Sequence, residues 1–311
     1  MYSRPGHLIG DAWYFIEDDT AHVYYLTSPD DAPPEERGHH WDIGHAVSDD
    51  LVSWEYVGLA LRKGEPGAWD DKRLATGGVI KRDGRYWMSF TGHHLADQPN
   101  FQRVGMAVSD DLTNWEKTPE NPVTVPDPQY YELVSTCPRG IVNWRDPFLL
   151  DTGDEVFHFV CARRADGDRK TRGSVGVART RDMRNWEVLP PPEHDRIAHE
   201  FEVPQVYFIN GRWYLVFCSH PVMLSDEFKA RFSGQELRKA DYSMVGESPI
   251  GPFHIHGTGE IVPMNFSPHV YASQLVQWKG EWLLLGTIVG GEAISDPIPI
   301  EAGETGLHIV T

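Results

Sequence analysis

The chain is poor in cysteine and lacks long apolar runs. It has three cysteines among 311 residues, Cys137, Cys161 and Cys218. Their odd number and wide spacing match neither a disulfide framework nor a zinc site. No apolar stretch is long enough to span a bilayer, and residues 1–10 lack the basic and apolar segments of a signal peptide. We therefore expect a cytoplasmic protein with reduced thiols, no metal and no cofactor.

Positive charge is also scarce. Lys and Arg number 28 against 46 Asp and Glu, which gives a formal net charge of −18. Such an acidic chain is poorly suited to bind nucleic acid or an anionic membrane. Aromatic residues reach 12% and include 11 Trp, a composition that suits β-strands and the stacking of sugar rings. Helical periodicity is weak, and the best helical candidate, residues 226–239, is predicted to be an insertion.

One phrase of fixed length recurs along the chain. It runs from Gly to Trp in Gly44–Trp54 (GHAVSDDLVSW), Gly105–Trp115 (GMAVSDDLTNW) and Gly176–Trp186 (GVARTRDMRNW), and a degenerate fourth copy occupies residues 245–253. A repeat of this kind is the signature of a radial or stacked architecture. Each copy predicts a short strand and a polar turn, after which the Trp packs against the start of the next strand.

A second pattern precedes each phrase and sets the number of repeats. Strands rich in β-branched and aromatic residues follow turns at His22–Thr27, Arg85–Thr91, Val156–Ala162, Arg212–Ser219 and Glu281–Ile288. A further apolar run lies upstream of each turn. These patterns predict five units of roughly 55–70 residues, each with three or four antiparallel strands. The predicted fold is an all-β, five-bladed β-propeller that forms a single domain over residues 1–311.

Three acidic residues lie near the start of the first strand in units one, three and four. They are Asp11, Asp146 and Glu202, whereas units two and five carry small residues there, Thr76–Gly78 and Ala272–Gln274. The first strand of each propeller blade lines the central channel, so the three carboxylates should meet at one mouth. Convergent carboxylates favour acid/base chemistry on a neutral polar substrate such as a sugar.

Other residues near the predicted mouth are candidates for binding the substrate. Trp13, Trp41 and Trp69 could stack on sugar rings, although core packing explains each of them equally well. Asp70 or Asp71 could bind sugar hydroxyls or lie in a solvated loop. A single Asp before a strand is usually a turn or cap residue, but three acidic residues at matching positions of a repeat are hard to explain in that way.

Several segments follow one another in the order of a known family's motifs: Gly10–Phe15, Gly44–Trp54, Ala75–Val79, Phe90–Gly92, Trp144–Pro147, Phe201–Pro204 and Tyr271–Gln274. The set resembles the five-bladed propeller glycosidases of glycoside hydrolase families 32, 43, 62 and 68. It is most similar to family 32, the invertase and fructanase group. The matches extend over almost the whole chain.

The resemblance implies a role for each acidic residue in cleaving a β-fructofuranoside. Asp11 would be the nucleophile, or the base if the reaction inverts, and Glu202 the general acid/base. Asp146 would hold sugar hydroxyls and stabilise the transition state, and the adjacent Arg145 would keep Asp146 ionised. The predicted substrate-binding residues are Arg145, Trp41, Trp69, Asp70, Thr76 and Gln274.

Departures from the family pattern keep alternatives open. The first-blade motif is shortened, Val203 stands where the family has Cys, and the β-sandwich that usually follows the propeller is not evident. One alternative is an inverting α-L-arabinofuranosidase or β-xylosidase like those of family 43. Another is a carbohydrate-binding propeller without activity. A phosphorolytic enzyme is disfavoured because no cluster of basic residues is evident.

His269 is the one candidate metal ligand. It could bind water or calcium, as in some enzymes of family 43, or it could be a packed strand histidine. The expected partner is a small oligosaccharide or glycoside, with no nucleic acid and no membrane.

Overall fold

The structure is a computed structural model and describes residues 1–31, 40–290 and 293–310. In these residues the chain forms five separate antiparallel sheets, each built mainly from consecutive strands. Neighbouring sheets contact one another through their first strands, and the last sheet contacts the first. The sheets are the blades of a propeller, so the predicted all-β, five-bladed fold is confirmed.

The first two blades take up the first 142 residues. Blade one contains β1 (His7–Glu17), β2 (Thr20–Pro29), β3 (Asp42–Ser48) and β4 (Glu55–Leu61). Blade two contains β5 (Arg73–Arg82), β6 (Arg85–His93), β7 (Asn100–Ser109) and β8 (Glu116–Lys117), with the short parallel β9 (Ile141–Val142) on β7.

The other three blades follow in chain order. Blade three contains β10 (Arg145–Asp151), β11 (Val156–Arg163), β12 (Gly173–Thr180) and β13 (Glu187–Leu189). Blade four contains β14 (Glu202–Ile209), β15 (Arg212–Ser219), β16 (Ala240–Gly246) and β17 (Phe253–His254). Blade five contains β18 (Val270–Trp278), β19 (Glu281–Ile288), β20 (Ala293–Ile294), β21 (Ile298–Gly303) and β22 (Gly306–Ile309).

The predicted helix is only partly present. The helix α1 covers Asp226–Lys229, where the Ser225 side chain caps its first turn, and a 3₁₀ turn at Ala230–Phe232 extends it. Gly234, at φ +82°, follows, and the rest of the insertion is irregular. The other 3₁₀ helices of the described ranges are single turns at Arg169–Thr171 and Pro221–Met223. Among the described helices, none has the length and apolarity needed to cross a bilayer.

The repeated phrase folds as predicted, and the second blade shows why. In β7 and its turn, Oδ1 of Asp111 accepts the backbone N–H groups of Thr113 and Asn114 at 2.9 and 2.7 Å. Leu112 then has φ 64°, and Trp115 Nε1 donates to its carbonyl oxygen at 3.0 Å. Equivalent Asp and Trp contacts form in the first and third copies. The phrase is thus a fixed turn that places the Trp at the start of the outer strand.

Every innermost strand carries a β-bulge at the same height. The register of the first strand on the second shifts between Ile9 and Ala12, Ala75 and Gly77, Arg145 and Phe148, Glu202 and Gln205, and Tyr271 and Gln274. Three bulge residues have positive φ, namely Asp146 at 58°, Val203 at 47° and Ala272 at 53°. A bulge bends a strand and re-aims its side chains, so five bulges shape one mouth of the propeller.

Candidate active site

The three predicted catalytic residues meet in one cavity. Asp11, Asp146 and Glu202 line a cleft of about 190 Å³ together with Thr76 and Trp41. The sequence pattern predicted that the three acidic residues occupy matching positions of the repeat. In the structure their positions differ slightly. Glu202 precedes the bulge of its strand, Asp146 is the first residue inside its bulge, and Asp11 is the second. The bulges bring together side chains that a regular register would separate.

Asp11 is tied to the second blade. Thr76, the bulge residue of β5, donates its Oγ1 hydrogen to Asp11 Oδ2 at 2.9 Å. Burial raises the pKa of Asp11, and the bond from Thr76 opposes that rise. Thr76 was predicted to leave room for a substrate; it lines the cleft and also holds the orientation of Asp11.

Asp146 is the most constrained of the three acidic residues. Its backbone N–H donates to Thr91 Oγ1 at 2.9 Å, and its Oδ2 accepts from the Val203 N–H at 3.2 Å. Arg145 Nε lies 3.1 Å from the same Oδ2. Burial nevertheless raises the pKa of Asp146 to about 7, because desolvation of the carboxylate outweighs the attraction of Arg145. Arg145 thus favours the ionised form of Asp146, as expected from the sequence, but burial opposes it more strongly.

Glu202 has hydrogen-bond donors on both carboxylate oxygens. Its Oε1 accepts from Arg145 Nη2 at 2.9 Å and from Arg139 Nη1. Its Oε2 accepts from the Tyr271 hydroxyl. Burial works to raise the pKa of Glu202, but the two guanidinium groups outweigh it and bring the pKa below its ordinary value.

Arg145 is held from several sides. Beyond its contacts with Asp146 and Glu202, it lies 3.3 Å from both Gln102 Oε1 and Glu200 Oε2. Glu200 is fully buried and also accepts from the Cys137 thiol at 2.8 Å and from Asn143 at 2.9 Å. Burial alone would raise the pKa of Glu200, but Arg145 and Arg139 lower it. Glu200 thus acts as a buried anchor for the Arg145 guanidinium, which contacts both Asp146 and Glu202.

Three residues of this network were missed as site residues: Arg139, Glu200 and Tyr271. A sequence signal existed for Tyr271, because it opens the family-like segment Tyr271–Gln274. The structure places it directly before the bulge of β18, as Arg145 and Glu202 lie before theirs. Nothing in the repeat indicated Arg139, since it lies in the loop between β8 and β9 that the other blades lack.

The predicted substrate-binding residues divide into two groups. Arg145, Trp41 and Thr76 line the cleft, whereas the structure does not bring Trp69, Asp70 and Gln274 to it. Trp69 packs on Phe90 with ring centroids 5.7 Å apart. Asp70 is buried and pairs with Lys117, and Gln274 is buried beyond the bulge of β18. The positions of Trp69 and Asp70 reflect blade packing, which their place in the sequence did not reveal.

Trp13 and His269 also serve packing. Trp13 is fully buried and stacks on Tyr24 with centroids 6.4 Å apart. His269 precedes β18 and its Nε2 lies 2.7 Å from the Lys239 carbonyl oxygen, outside the residues that line the cleft. The described residues contain no group of three or more His, Cys, Asp or Glu side chains suited to hold a metal ion. The described contact of His269, just outside strand β18, is thus with a backbone carbonyl.

Basic residues do gather at the cleft, contrary to the sequence-based expectation. Arg73, Arg139 and Arg145 all line it. Two of them, Arg139 and Arg145, are paired with the buried carboxylates Glu200 and Glu202. These two guanidinium groups thus offset the negative charge that the site concentrates.

Comparison with known proteins places the chain in a family. Residues 12–295 match the model of the glycosyl hydrolases family 32 N-terminal domain. Sucrose-6-phosphate hydrolase from Escherichia coli is 25% identical over 75% of this chain and 42% of its own length. The 6(G)-fructosyltransferase from Asparagus officinalis is 30% identical over 62% of this chain and 29% of its own length. The chain thus spans less than half the length of these curated relatives.

The fold comparison agrees with the family match. Inulosucrase from Halalkalicoccus jeotgali, solved with kestose bound, superposes with a TM-score of 0.77 at 20% identity. That likeness covers 98% of this chain and 87% of the inulosucrase chain, and it concerns the fold. The family model covers most of the chain, including the strands that carry Asp146 and Glu202. The chain therefore belongs to glycosyl hydrolase family 32.

Proposed function

We propose that this protein hydrolyses a small β-fructofuranoside, with Asp11 as nucleophile, Asp146 as transition-state stabiliser and Glu202 as general acid/base. The observation that carries the proposal is the convergence of these three carboxyl groups on one cleft in a chain of family 32. A glycosidase needs an ionised carboxylate near the anomeric carbon and a protonated carboxyl group near the leaving oxygen.

The chemistry proceeds in two steps. The Asp11 carboxylate attacks the anomeric carbon while the proton of Glu202 passes to the glycosidic oxygen, so the leaving sugar departs as an alcohol. Glu202 then takes a proton from water, whose oxygen attacks the same carbon and releases Asp11. Asp146 binds hydroxyls of the fructosyl ring, and Trp41 at the rim offers a face for stacking.

The protein's own charges oppose the first proton transfer. Burial raises the pKa values of Asp11 and Asp146, whereas Arg145 and Arg139 outweigh burial at Glu202 and lower its pKa. The two guanidinium groups thus oppose protonation of the group that must donate the proton. We therefore expect the contacts of Glu202 to change when the leaving group arrives.

The substrate class follows from the size of the cleft and from the relatives. A cleft of about 190 Å³ suits one fructosyl ring, with the leaving group at the rim. The relatives' names include sucrose-6-phosphate hydrolase and fructosyltransferases, so sucrose, its 6-phosphate and short fructans form the panel to test.

We also propose a cytoplasmic location; recovery of the native protein from culture medium would contradict it.

The test is product analysis on that panel, with an aryl α-L-arabinofuranoside included. Release of free fructose supports hydrolysis, whereas growth of longer fructans at high sucrose would indicate transfer to a sugar instead. Turnover of the arabinoside alone would contradict the fructofuranosidase proposal. Sugar binding without turnover of any substrate, by folded protein, would favour a carbohydrate-binding propeller.

A further inference from the structure

Both carboxylate oxygens of Glu202 already accept hydrogen bonds from neighbouring side chains. Arg145 and Arg139 both occupy Oε1, and the Tyr271 hydroxyl occupies Oε2. A general acid must carry a proton on an oxygen that faces the leaving group. A carboxylate that accepts three hydrogen bonds, two of them from cations, is instead stabilised in its ionised form. Departure of one of the charged donors would favour the protonated form that a general acid needs.

Two of the three donors are less suited to this role. The side chain of Arg145 is only 7% exposed, and Asp146, Glu200 and Gln102 hold it from other directions. Arg145 therefore cannot leave Glu202 without breaking buried ion pairs. Tyr271 is an uncharged donor, so its departure would remove no countercharge from Glu202.

Arg139 is different because its side chain is 36% exposed at the rim of the cleft. Its charged contacts in the described structure are the Nη1 bond to Glu202 and a 3.5 Å approach of Nε to Glu200. The base of its loop is anchored, since buried Glu132 accepts from the Thr136 N–H and side chain and pairs with Arg172. The loop is thus held while the guanidinium at its tip is able to swing.

Other groups around Glu202 bear on its protonation. Its cationic or potentially cationic neighbours are Arg139, Arg145 and His220. Its carboxyl neighbours are Asp11, Asp146 and Glu200. The phenol of Tyr271 and the thiols of Cys161 and Cys218 complete the set. Among the guanidinium groups of this set, Arg139 is the more exposed, so it is the contact that an incoming ligand can replace.

We propose that Arg139 is a positioning residue that holds Glu202 as a carboxylate until the leaving group of the substrate displaces it. This role rests on the proposed function and makes the protonation of Glu202 depend on the arrival of the substrate. The leaving sugar enters at the rim, where it competes with Arg139 for Oε1 of Glu202. Once Arg139 has moved away, Glu202 loses one of its two countercharges and can take up the proton that it later gives to the glycosidic oxygen. Premature or misdirected proton transfer is thereby avoided.

The experiment compares the wild type with Arg139→Met and Arg139→Lys. The pH dependence of kcat/KM is recorded on the best substrate of the panel, and the Glu202 carboxyl is titrated directly by ¹³C NMR. Removal of a cation raises the pKa of a carboxyl group, so Arg139→Met should keep Glu202 protonated to higher pH. The alkaline limb of the profile and the NMR titration of Glu202 should both move to higher pH in Arg139→Met and stay near wild type in Arg139→Lys.

The outcomes separate this inference from the proposed function. A purely structural Arg139 would lower kcat/KM by the same factor at every pH and leave the Glu202 titration unmoved, and that result would overturn the inference. Failure of the wild type to turn over any substrate would instead count against the proposed function, while the NMR titration would still test the contact. Far-UV circular dichroism of both variants establishes that they are folded.

Discussion

At the residue scale, the position directly before a bulge organises the site. Arg145, Glu202 and Tyr271 occupy this position in blades three, four and five, and they form a chain of contacts in which Glu202 is central. Glu202, the proposed general acid, is thus set between a cation and a phenol by the repeat itself. Asp11 and Asp146, for which we propose ionised roles, lie inside their bulges instead.

The hydroxyl of Thr76 is predicted to tune the nucleophile. Its bond to Asp11 favours the ionised carboxylate, so Thr76→Val should raise the pKa of Asp11 further. Since Asp11 must be ionised to attack, the acid limb of kcat/KM should move to higher pH. On that limb the loss should be roughly tenfold, the worth of one hydrogen bond to a charged group.

The matched control is Thr76→Ser, which keeps the hydroxyl and should keep the wild-type profile. An acid limb that stays in place in Thr76→Val would show that Thr76 does not influence Asp11. Activity lost equally at all pH values would point to a distorted cleft.

Individual residues were only partly predictable from the sequence. The acids Asp11, Asp146 and Glu202 were found because they recur with the repeat. Arg139 was not found, because it lies in a loop that does not recur. The raised pKa of Asp146 was also missed, because it depends on burial, and burial cannot be read from the neighbouring Arg145 alone.

At the scale of the element, the glycine that opens each repeated phrase makes room for an aromatic ring. A Cβ atom at Gly44 would lie 2.8 Å from the ring of Tyr25, and one at Gly176 would lie 2.5 Å from that of Trp144. At Gly105 it would lie 2.7 Å from Trp69. The repeated phrase therefore has two packing residues, the Gly at its start and the Trp at its end. The turn held by the Asp side chain fixes the distance between them.

Gly105→Ala is predicted to destabilise blade two. The added methyl group would press on Trp69 and Phe90, 2.7 and 2.8 Å away, and Phe90 is fully buried in the blade. Overpacking of this kind typically costs about 1–3 kcal/mol of the free energy of unfolding. Urea denaturation followed by Trp fluorescence measures the change.

Gly58→Ala serves as the control, because a Cβ atom there meets nothing within 4 Å. It should leave the urea midpoint within the error of the wild type or raise it slightly. Equal midpoints for Gly105→Ala and the wild type would contradict the packing explanation of the repeated glycine.

Elements were the most predictable level. The second strand of every blade was predicted within a few residues, because a β-branched or aromatic run marks it and, in four of the five blades, a glycine-containing turn precedes it. The helix predicted at 226–239 was too long, since the helical segment stops at Phe232 and Gly234 follows with a positive φ. The bulges were not predicted; no local sequence signal distinguishes them from regular strand.

At the scale of the whole molecule, the ring closes where the fifth blade meets the first. Tyr2 exchanges two backbone hydrogen bonds with Ile294 of β20, at 2.9 and 2.8 Å. The Ile294 side chain is fully buried against Ile9, Ala12 and other residues of blade one. A small apolar cluster therefore joins the two blades, in addition to the contact between β1 and β18.

Ile294→Ala is predicted to weaken the whole ring. Truncation of a fully buried isoleucine typically costs about 2–5 kcal/mol. If the blades unfold together, the urea midpoint falls while the transition stays single and its m value is unchanged. Val222→Ala, at a side chain that is 65% exposed, is the control and should have little effect. A two-step transition in the variant would show instead that blade five unfolds on its own.

The claim that most needs testing is the division of labour between Asp11 and Glu202. We would measure kcat/KM, which reports the first step, for the wild type, Asp11→Asn and Glu202→Gln on sucrose and on 4-nitrophenyl β-fructofuranoside, whose leaving group departs without a proton. The account predicts that Glu202→Gln loses about 10²–10⁴-fold on sucrose and far less on the nitrophenyl substrate, whereas Asp11→Asn loses activity on both. Equal losses of Glu202→Gln on the two substrates, or wild-type activity in Asp11→Asn, would contradict it.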